Sequence, residues 1–301
     1  MDRDYLQQYT IQYSFPAEAK AALYQAFDEV CGDPDLYQTM VQAISAYESG
    51  KIQSRDEMLE LLFHVRQQAE GFCVPSETVE VLFFILCSKH LKDLYVEKKM
   101  PLGYYDGLAS DIISKLRECY TVKGIWGSFV TTWFAAFYVL GRFAIGRLQF
   151  DVIDMPACIS LDGKYCFNGE QAVNIHIPSG RPLRKPDVQA SLKEATAFFA
   201  DRFPGDSVLF TCHSWLLYPG HYEMLPKESG IRQFMEEFIL IDVDIHPDGK
   251  DLWRIFDTFD HENLDNLPQN TSLQKSYVQW LKQGKPVGAG LGIRYMAKKE
   301  E

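Results

Sequence analysis

Over roughly the first 140 residues, apolar positions recur at the three- and four-residue spacing of amphipathic helices. Pro16 suits the first turn of a helix running to about Val30, which Gly32-Asp33-Pro34 breaks. A second helix runs to about Glu48, before Ser49-Gly50. Ser54-Arg55-Asp56-Glu57 forms a capping box for a third, with Leu59, Leu62, Phe63 and Arg66 following. Pro75-Ser76-Glu77 opens a fourth, which carries the run VEVLFFILC at 79–87, and Asp106 to Tyr120 predicts a fifth. Gly124 to Leu140 is uncharged; its two Gly, one Ser, two Thr and marginal length favour a buried helix closing the first domain over a membrane span.

Around Gly141 the period changes to two. In RLQFDVID (147–154), Leu148, Phe150 and Val152 face one way and Arg147, Gln149 and Asp151 the other. Leu161-Asp162-Gly163-Lys164 reads as a hairpin turn, and Gln171–Ile177 as the next strand. A helix follows with Pro186 at its first position and a stripe of Val188, Leu192, Ala195, Phe199 and Phe203. SVLFTCHSWLL is another strand, with a short helix after it from Gly220 to Leu225. FMEEFILIDVDI predicts one long strand with Ile239, Ile241, Val243 and Ile245 on one face, turning at Pro247-Asp248-Gly249 into LWRIF. Thr271-Ser272-Leu273-Gln274 caps a last helix bearing Tyr277, Trp280 and Leu281, and VGAGLGIRYM closes the chain as a strand. The class is α+β: an all-helical first part, then one βαβ unit within a mixed, largely antiparallel sheet flanked by helices.

Composition narrows the function. The 301 residues are 47% hydrophobic and carry a formal net charge of −11, which argues against nucleic acid or an anionic membrane as partner. Seven cysteines without a C-x-x-C, and no secretory leader in MDRDYLQQYT, predict reduced thiols in the cytoplasm. No metal site is expected. Cys and His are not clustered at ligand spacing, and DVDIHPDGKD has Trp253 where a calcium loop needs its twelfth-position glutamate. GAGLG (288–292) precedes no helix and predicts a bulged edge or a close backbone approach instead of a phosphate loop.

Two places carry candidate chemistry. Between the strand at 171–177 and the helix at Pro186, the stretch has no acid but has Arg181, Arg184 and Lys185; Ser179 and Gly180 permit close backbone approach. Local chemistry leaves this loop open between a pyrophosphate cradle at a helix start and an ordinary βα turn. In CHSW (212–215), strand neighbours point to opposite faces, so His213 cannot pair with Ser214 or Cys212 as a nucleophile–base couple. His213 remains a candidate general base, and His176 joins it at the C-terminal edge of the preceding strand, on one face with Asn174.

IHIPSGRPL, CHSWLLYP, LPKESGIRQF and GRLQFD resemble a bacterial family of N-acyltransferases, with a helical N-terminal domain and a GNAT-like C-terminal acyltransferase domain. The resemblance covers nearly the whole chain and is most specific from 146 to 234. It implies domains at 1–142 and 143–301 and a donor, acetyl-CoA or another acyl-CoA, lying where the strand at 172–177 splays from that at 207–215. It also implies that Ile177, Ser179, Gly180, Arg181, Leu183, Arg184 and Lys185 bind the cofactor, although SGRPLRK stands where the usual GNAT signature [R/Q]-x-x-G-x-[G/A] would be. The implied reaction is direct attack of a small or peptide amine on the thioester, with His213 or His176 as base and Tyr222 as acid. The missing signature glycines keep open an alternative: a non-catalytic CoA- or anion-binding sensor or scaffold.

Overall fold

A computed structural model describes residues 1–155, 167 and 169–298. The chain forms two compact units, Met1–Ala144 and Ile145–Glu301.

The first unit is helical: α1 Arg3–Gln12, α2 Ala17–Gly32, α3 Pro34–Glu48, α4 Arg55–Ala69, α5 Ser76–Glu97, α6 Leu102–Lys123 and the single-turn α7 Ala135–Tyr138. Side-chain caps fix several of the helix starts. Asp33 accepts from the Asp35 and Leu36 amides, and Ser54 and Glu57 form the reciprocal capping box of α4. Every residue from Val79 to Cys87 is buried, so α5 presents apolar or neutralised groups all round and forms the centre of the unit. Glu80 survives there because Arg66 and the Thr131 hydroxyl bond its carboxylate.

Three expectations need correction. Helix α1 is additional: Asp2 caps the Tyr5 amide, and Leu6 and Tyr9 are buried. Helix α6 starts at Leu102 instead of Asp106, because Pro101 presets the entry and Tyr104 and Tyr105 are buried. The uncharged segment at 124–140 is not one helix. Gly124 ends α6 at φ +72°, and a Cβ at Gly127 would lie 2.7 Å from the Glu77 carbonyl carbon, so the chain there yields only a 3-10 turn, Thr131–Trp133, and α7. Phe134 to Tyr138 are buried, and among the described residues no helix is long and apolar enough to cross a membrane.

The sheet runs in the order β1-β2-β3-β4-β6-β5. Its strands are β1 Arg142–Ile145, in which the unit boundary falls, β2 Leu148–Asp154, β3 Gln171–His176, β4 Ser207–Ser214, β5 Ile239–Ile245 and β6 Gly288–Ala297. The hairpin expected at 161–164 lies outside the described residues. The second unit's helices are α8 Lys185–Phe199, α9 His221–Met224, α10 Gly230–Met235, α11 Trp253–Phe256 and α12 Ser272–Lys282. β3 and β4 are parallel and joined through α8, while β2–β3, β4–β6 and β5–β6 are antiparallel. The α+β class and the single βαβ unit are thus as expected.

The long strand expected from Phe234 is shorter. Residues 230–235 coil into α10, with Ser229 accepting from the Ile231 amide, and LWRIF contains the one-turn α11. A bulge between Leu240 and Asp242 also breaks the expected face: Ile241 is 1% exposed but Ile239 is 52% and Ile245 49%. GAGLG lies in β6, an inner strand, and close approach explains it: a Cβ at Gly288 would fall on the Asp244 carbonyl oxygen, and one at Gly290 on that of Leu217.

Candidate functional site

The parallel ladder between β3 and β4 pairs Val173 with Phe210 and Asn174 with Thr211. Both strands continue beyond it, to His176 and Ser214, without further pairing to each other. His176 and His213 each stand two residues past this last pair, on one face of the sheet. The opening between parallel strands therefore carries a histidine on each side.

Each histidine meets a carboxylate on its outer side. His176 Nε2 lies 3.0 Å from Asp151 Oδ1 of β2, and Asn174 Nδ2 donates to the same oxygen at 3.1 Å. His213 Nε2 lies 2.9 Å from Asp244 Oδ2 of β5, with Leu291 of β6 between the two strands. A carboxylate only accepts, so in each pair the imidazole Nε2–H is the donor. The first pair is largely buried and the second half exposed. His213, Asp242, Val243, Asp244 and Leu291 line a small pocket of about 190 Å³. Opposite His176 in the β2–β3 register, Gln149 is 1% exposed and neither of its amide atoms has a hydrogen-bond partner.

The loop after β3 runs from half-buried Ile177 through exposed Ser179, Gly180 and Arg181 to α8. Gly180 takes φ +88°, the region that favours glycine. The three cations noted in the sequence are not equivalent. Arg184 Nε donates to Asp187 at 2.7 Å, Lys185 lies 3.6 Å from Glu237, and Arg181 donates to the Gly146 carbonyl at 2.9 Å. Glu237 is itself buried, bonded by Arg294 and Gln189. Leu183, Arg184 and Lys185 line a pocket of about 600 Å³ with Glu228, Ser229 and Gly230. A Cβ at Gly230 would meet the Leu183 carbonyl oxygen at 2.8 Å.

Arg147 is the main residue that the sequence reading passed over. Its guanidinium donates to the carbonyls of Pro178 (2.8 Å), Arg181 (2.7 Å) and Pro182 (3.1 Å). Burial first, and neighbouring Arg181 second, lower its pKa to about 10. The available signal was its place on the polar side of the RLQFDVID alternation, which Asp151 shares. Tyr222 lies in α9, exposed, with the Arg232 guanidinium 5.1 Å over its ring. Its neighbour His221 is buried, and Tyr218 donates to the Pro286 carbonyl at 2.9 Å. No group of three or more His, Cys, Asp or Glu side chains able to hold a metal occurs among the described residues.

A family described as GNAT-like C-terminal domain matches residues 143–294. No curated protein sequence matches the chain. Solved structures of similar fold include an acyltransferase in complex with decanoyl-CoA, at TM-score 0.74 and 22% identity over 98% of this chain and 88% of that one. Another is an acyltransferase with decanoyl-CoA and teicoplanin (TM-score 0.73, 19% identity, 96% of this chain and 87% of that one). A mutant acyltransferase with octanoyl-CoA gives TM-score 0.74 and 19% identity over 98% of this chain and 89% of that one.

Proposed function

The chain belongs to the GNAT-like C-terminal domain family, and we propose that it is an acyl-CoA-dependent N-acyltransferase whose transferase domain is 143–301. One observation carries the reading. The only parallel strand pair among the described residues stops short of its strand ends, and the basic loop and the start of α8 border a pocket of about 600 Å³ just beyond. A pantetheine arm fits an opening between parallel strands, because unpaired backbone groups on both sides can bond its amides. The start of α8 and the backbone from Ser179 to Leu183 suit its diphosphate. The uncharged thioester end then lies near His176 and His213.

The reaction is direct transfer. The acceptor amine attacks the thioester carbonyl, its proton passes to a base, and the thiolate leaves as the tetrahedral centre collapses. His176, held by Asp151, and His213, held by Asp244, are the candidate bases. The amide near Ile177 is the candidate oxyanion donor, and Tyr222 the candidate acid toward the thiolate. Donor and acceptor are acetyl-CoA or a longer acyl-CoA, and a small or peptide amine; such a donor implies a cytoplasmic site of action. A second reading, CoA binding without transfer, is favoured by the replacement of the signature glycines by SGRPLRK.

The test is thiol release from acetyl-, octanoyl- and decanoyl-CoA with small amines, peptides and teicoplanin as acceptors, on wild type, His176→Ala and His213→Ala. Acceptor-dependent release that falls about 100-fold or more in one histidine variant supports the transferase reading. Full turnover in both variants removes the histidines from the mechanism. CoA binding without turnover selects the second reading, and no binding of any CoA rejects both.

A further inference from the structure

Arg147 stands outside the loop it holds. It lies in the turn between β1 and β2, where Gly146 takes φ +64°. The Arg147 amide donates to Ser191 Oγ at 2.6 Å, and that hydroxyl donates to the Asp187 carbonyl at 3.0 Å, which ties the turn to α8. A Cβ at Gly146 would sit 2.5 Å from Ser191 Oγ, so the fit leaves no room for a side chain there. From this anchor the guanidinium gathers the Pro178, Arg181 and Pro182 carbonyls. Arg181 returns a bond to the Gly146 carbonyl.

The gathered carbonyls orient the loop's donors. In a trans peptide the N–H points opposite to its C=O, and no peptide bond among the described residues is cis. With the Pro178 and Pro182 carbonyls turned toward Arg147, the amides of Ser179 and Leu183 point away from it. The third peptide carries no N–H, because its nitrogen belongs to Pro182. Neither the Ser179 nor the Leu183 amide donates a hydrogen bond within the described residues. Arg184 and Lys185 face Asp187 and Glu237, whereas the guanidinium groups of Arg147 and Arg181 donate to backbone carbonyls.

We propose that Arg147 is the positioning residue of the diphosphate loop, setting the Ser179 and Leu183 amides outward for the CoA diphosphate. This rests on the acyl-CoA reading above. It predicts that the three-carbonyl grip, and not charge alone, sets donor affinity. Lysine keeps the charge but has one nitrogen, which cannot span three carbonyls as the guanidinium fork does.

The experiment pairs calorimetric CoA titration and donor kinetics with trypsin cleavage after Arg184, on wild type, Arg147→Lys, Arg147→Met and Arg181→Ala. Expected for Arg147→Lys are CoA affinity and donor KM worse by about tenfold, a kcat at saturating donor within about twofold, and faster cleavage after Arg184 without ligand. Arg147→Met loses more, and Arg181→Ala, which breaks one bond, loses less. An Arg147→Lys protein that binds CoA and resists trypsin like wild type overturns the proposal, as does a fall in kcat with KM unchanged. If wild type binds no CoA, the transferase reading fails, and with it this ligand. The ligand-free trypsin pattern still decides whether Arg147 holds the loop. Should Arg147→Met fail to fold, Arg147→Lys carries the comparison.

Discussion

Removing the imidazole of His221 should flatten the acid dependence of stability. His221 opens α9 and is fully buried; its Nε2 lies 2.6 Å from the Tyr277 hydroxyl and its Nδ1 3.4 Å from the Leu216 carbonyl oxygen. The carbonyl only accepts, so Nδ1 holds the proton and Nε2 accepts from Tyr277. Protonating Nε2 would bury a charge and turn the Tyr277 hydroxyl from donor to acceptor, taking the partner from its proton, beside an apolar cluster that includes Tyr218, Phe256 and Trp280. Burial accordingly pulls the pKa down from 6.5 to about 4, slightly opposed by the Leu216 carbonyl. Between these values the unfolded chain binds a proton that the native one refuses, so stability falls as pH falls. His221 contributes fully above about pH 6.5, and the contribution is lost by about pH 4; at 1.36 kcal/mol per unit the loss is about 3 kcal/mol. The assay is urea unfolding at pH 7, 6, 5 and 4 followed by tryptophan fluorescence, since Trp215 stands edge-on to His221 at 5.9 Å. His221→Gln should be less stable than wild type at pH 7, and the gap should narrow by about 3 kcal/mol on descent to pH 4. Other titrating groups act equally in both proteins and cancel. A gap that stays constant with pH would refute the assignment of a buried neutral imidazole.

Two further substitutions probe the sheet. Gln149→Leu removes a buried amide with no partner, so the ligand-free protein should gain about 1 kcal/mol, a few degrees in Tm by calorimetry; a lower Tm would show that the amide is bonded in solution. Gly290→Ala puts a methyl group onto the Leu217 carbonyl and into Leu240, and should cost about 1–3 kcal/mol in denaturant unfolding, whereas a neutral result would mean that the β6 backbone shifts freely.

Much of the fold was legible because its signals are local. The capping boxes at Ser54 and Thr271 act within one turn, and both are formed as read. The strand–loop–helix–strand order around α8 predicts a parallel pair, since such a crossover returns a strand in the same direction. The failures lie where tertiary contact overrides period. An apolar stretch at 124–140 has helical composition, but the approach of Gly127 to Glu77 and the use of Thr131 as a partner of Glu80 break it into short turns. FMEEFILIDVDI has strand composition throughout, yet its first residues coil into α10 and its glutamate at 237 turns inward to Arg294.

The candidate site divides along the same line, and the division bears on function. A sequence shows where charges are but not which of them are already neutralised. Arg184 and Lys185 drew attention because the stretch from Gln171 to Pro186 holds no acid, yet Asp187 just past it pairs with one and the distant Glu237 faces the other. The cation that organises the loop is Arg147, more than thirty positions away and visible beforehand only as the polar side of a strand alternation. The histidines behave alike: His176 and His213 were legible as strand-edge residues, but their carboxylates come from β2, which flanks β3, and from β5, one strand beyond β6, and no local pattern specifies either register. An absent glycine signature is therefore a weak argument against a diphosphate site. Those glycines serve to let backbone amides reach the anion, and here the Arg147 grip and Gly180 provide another way to present the Ser179 and Leu183 amides.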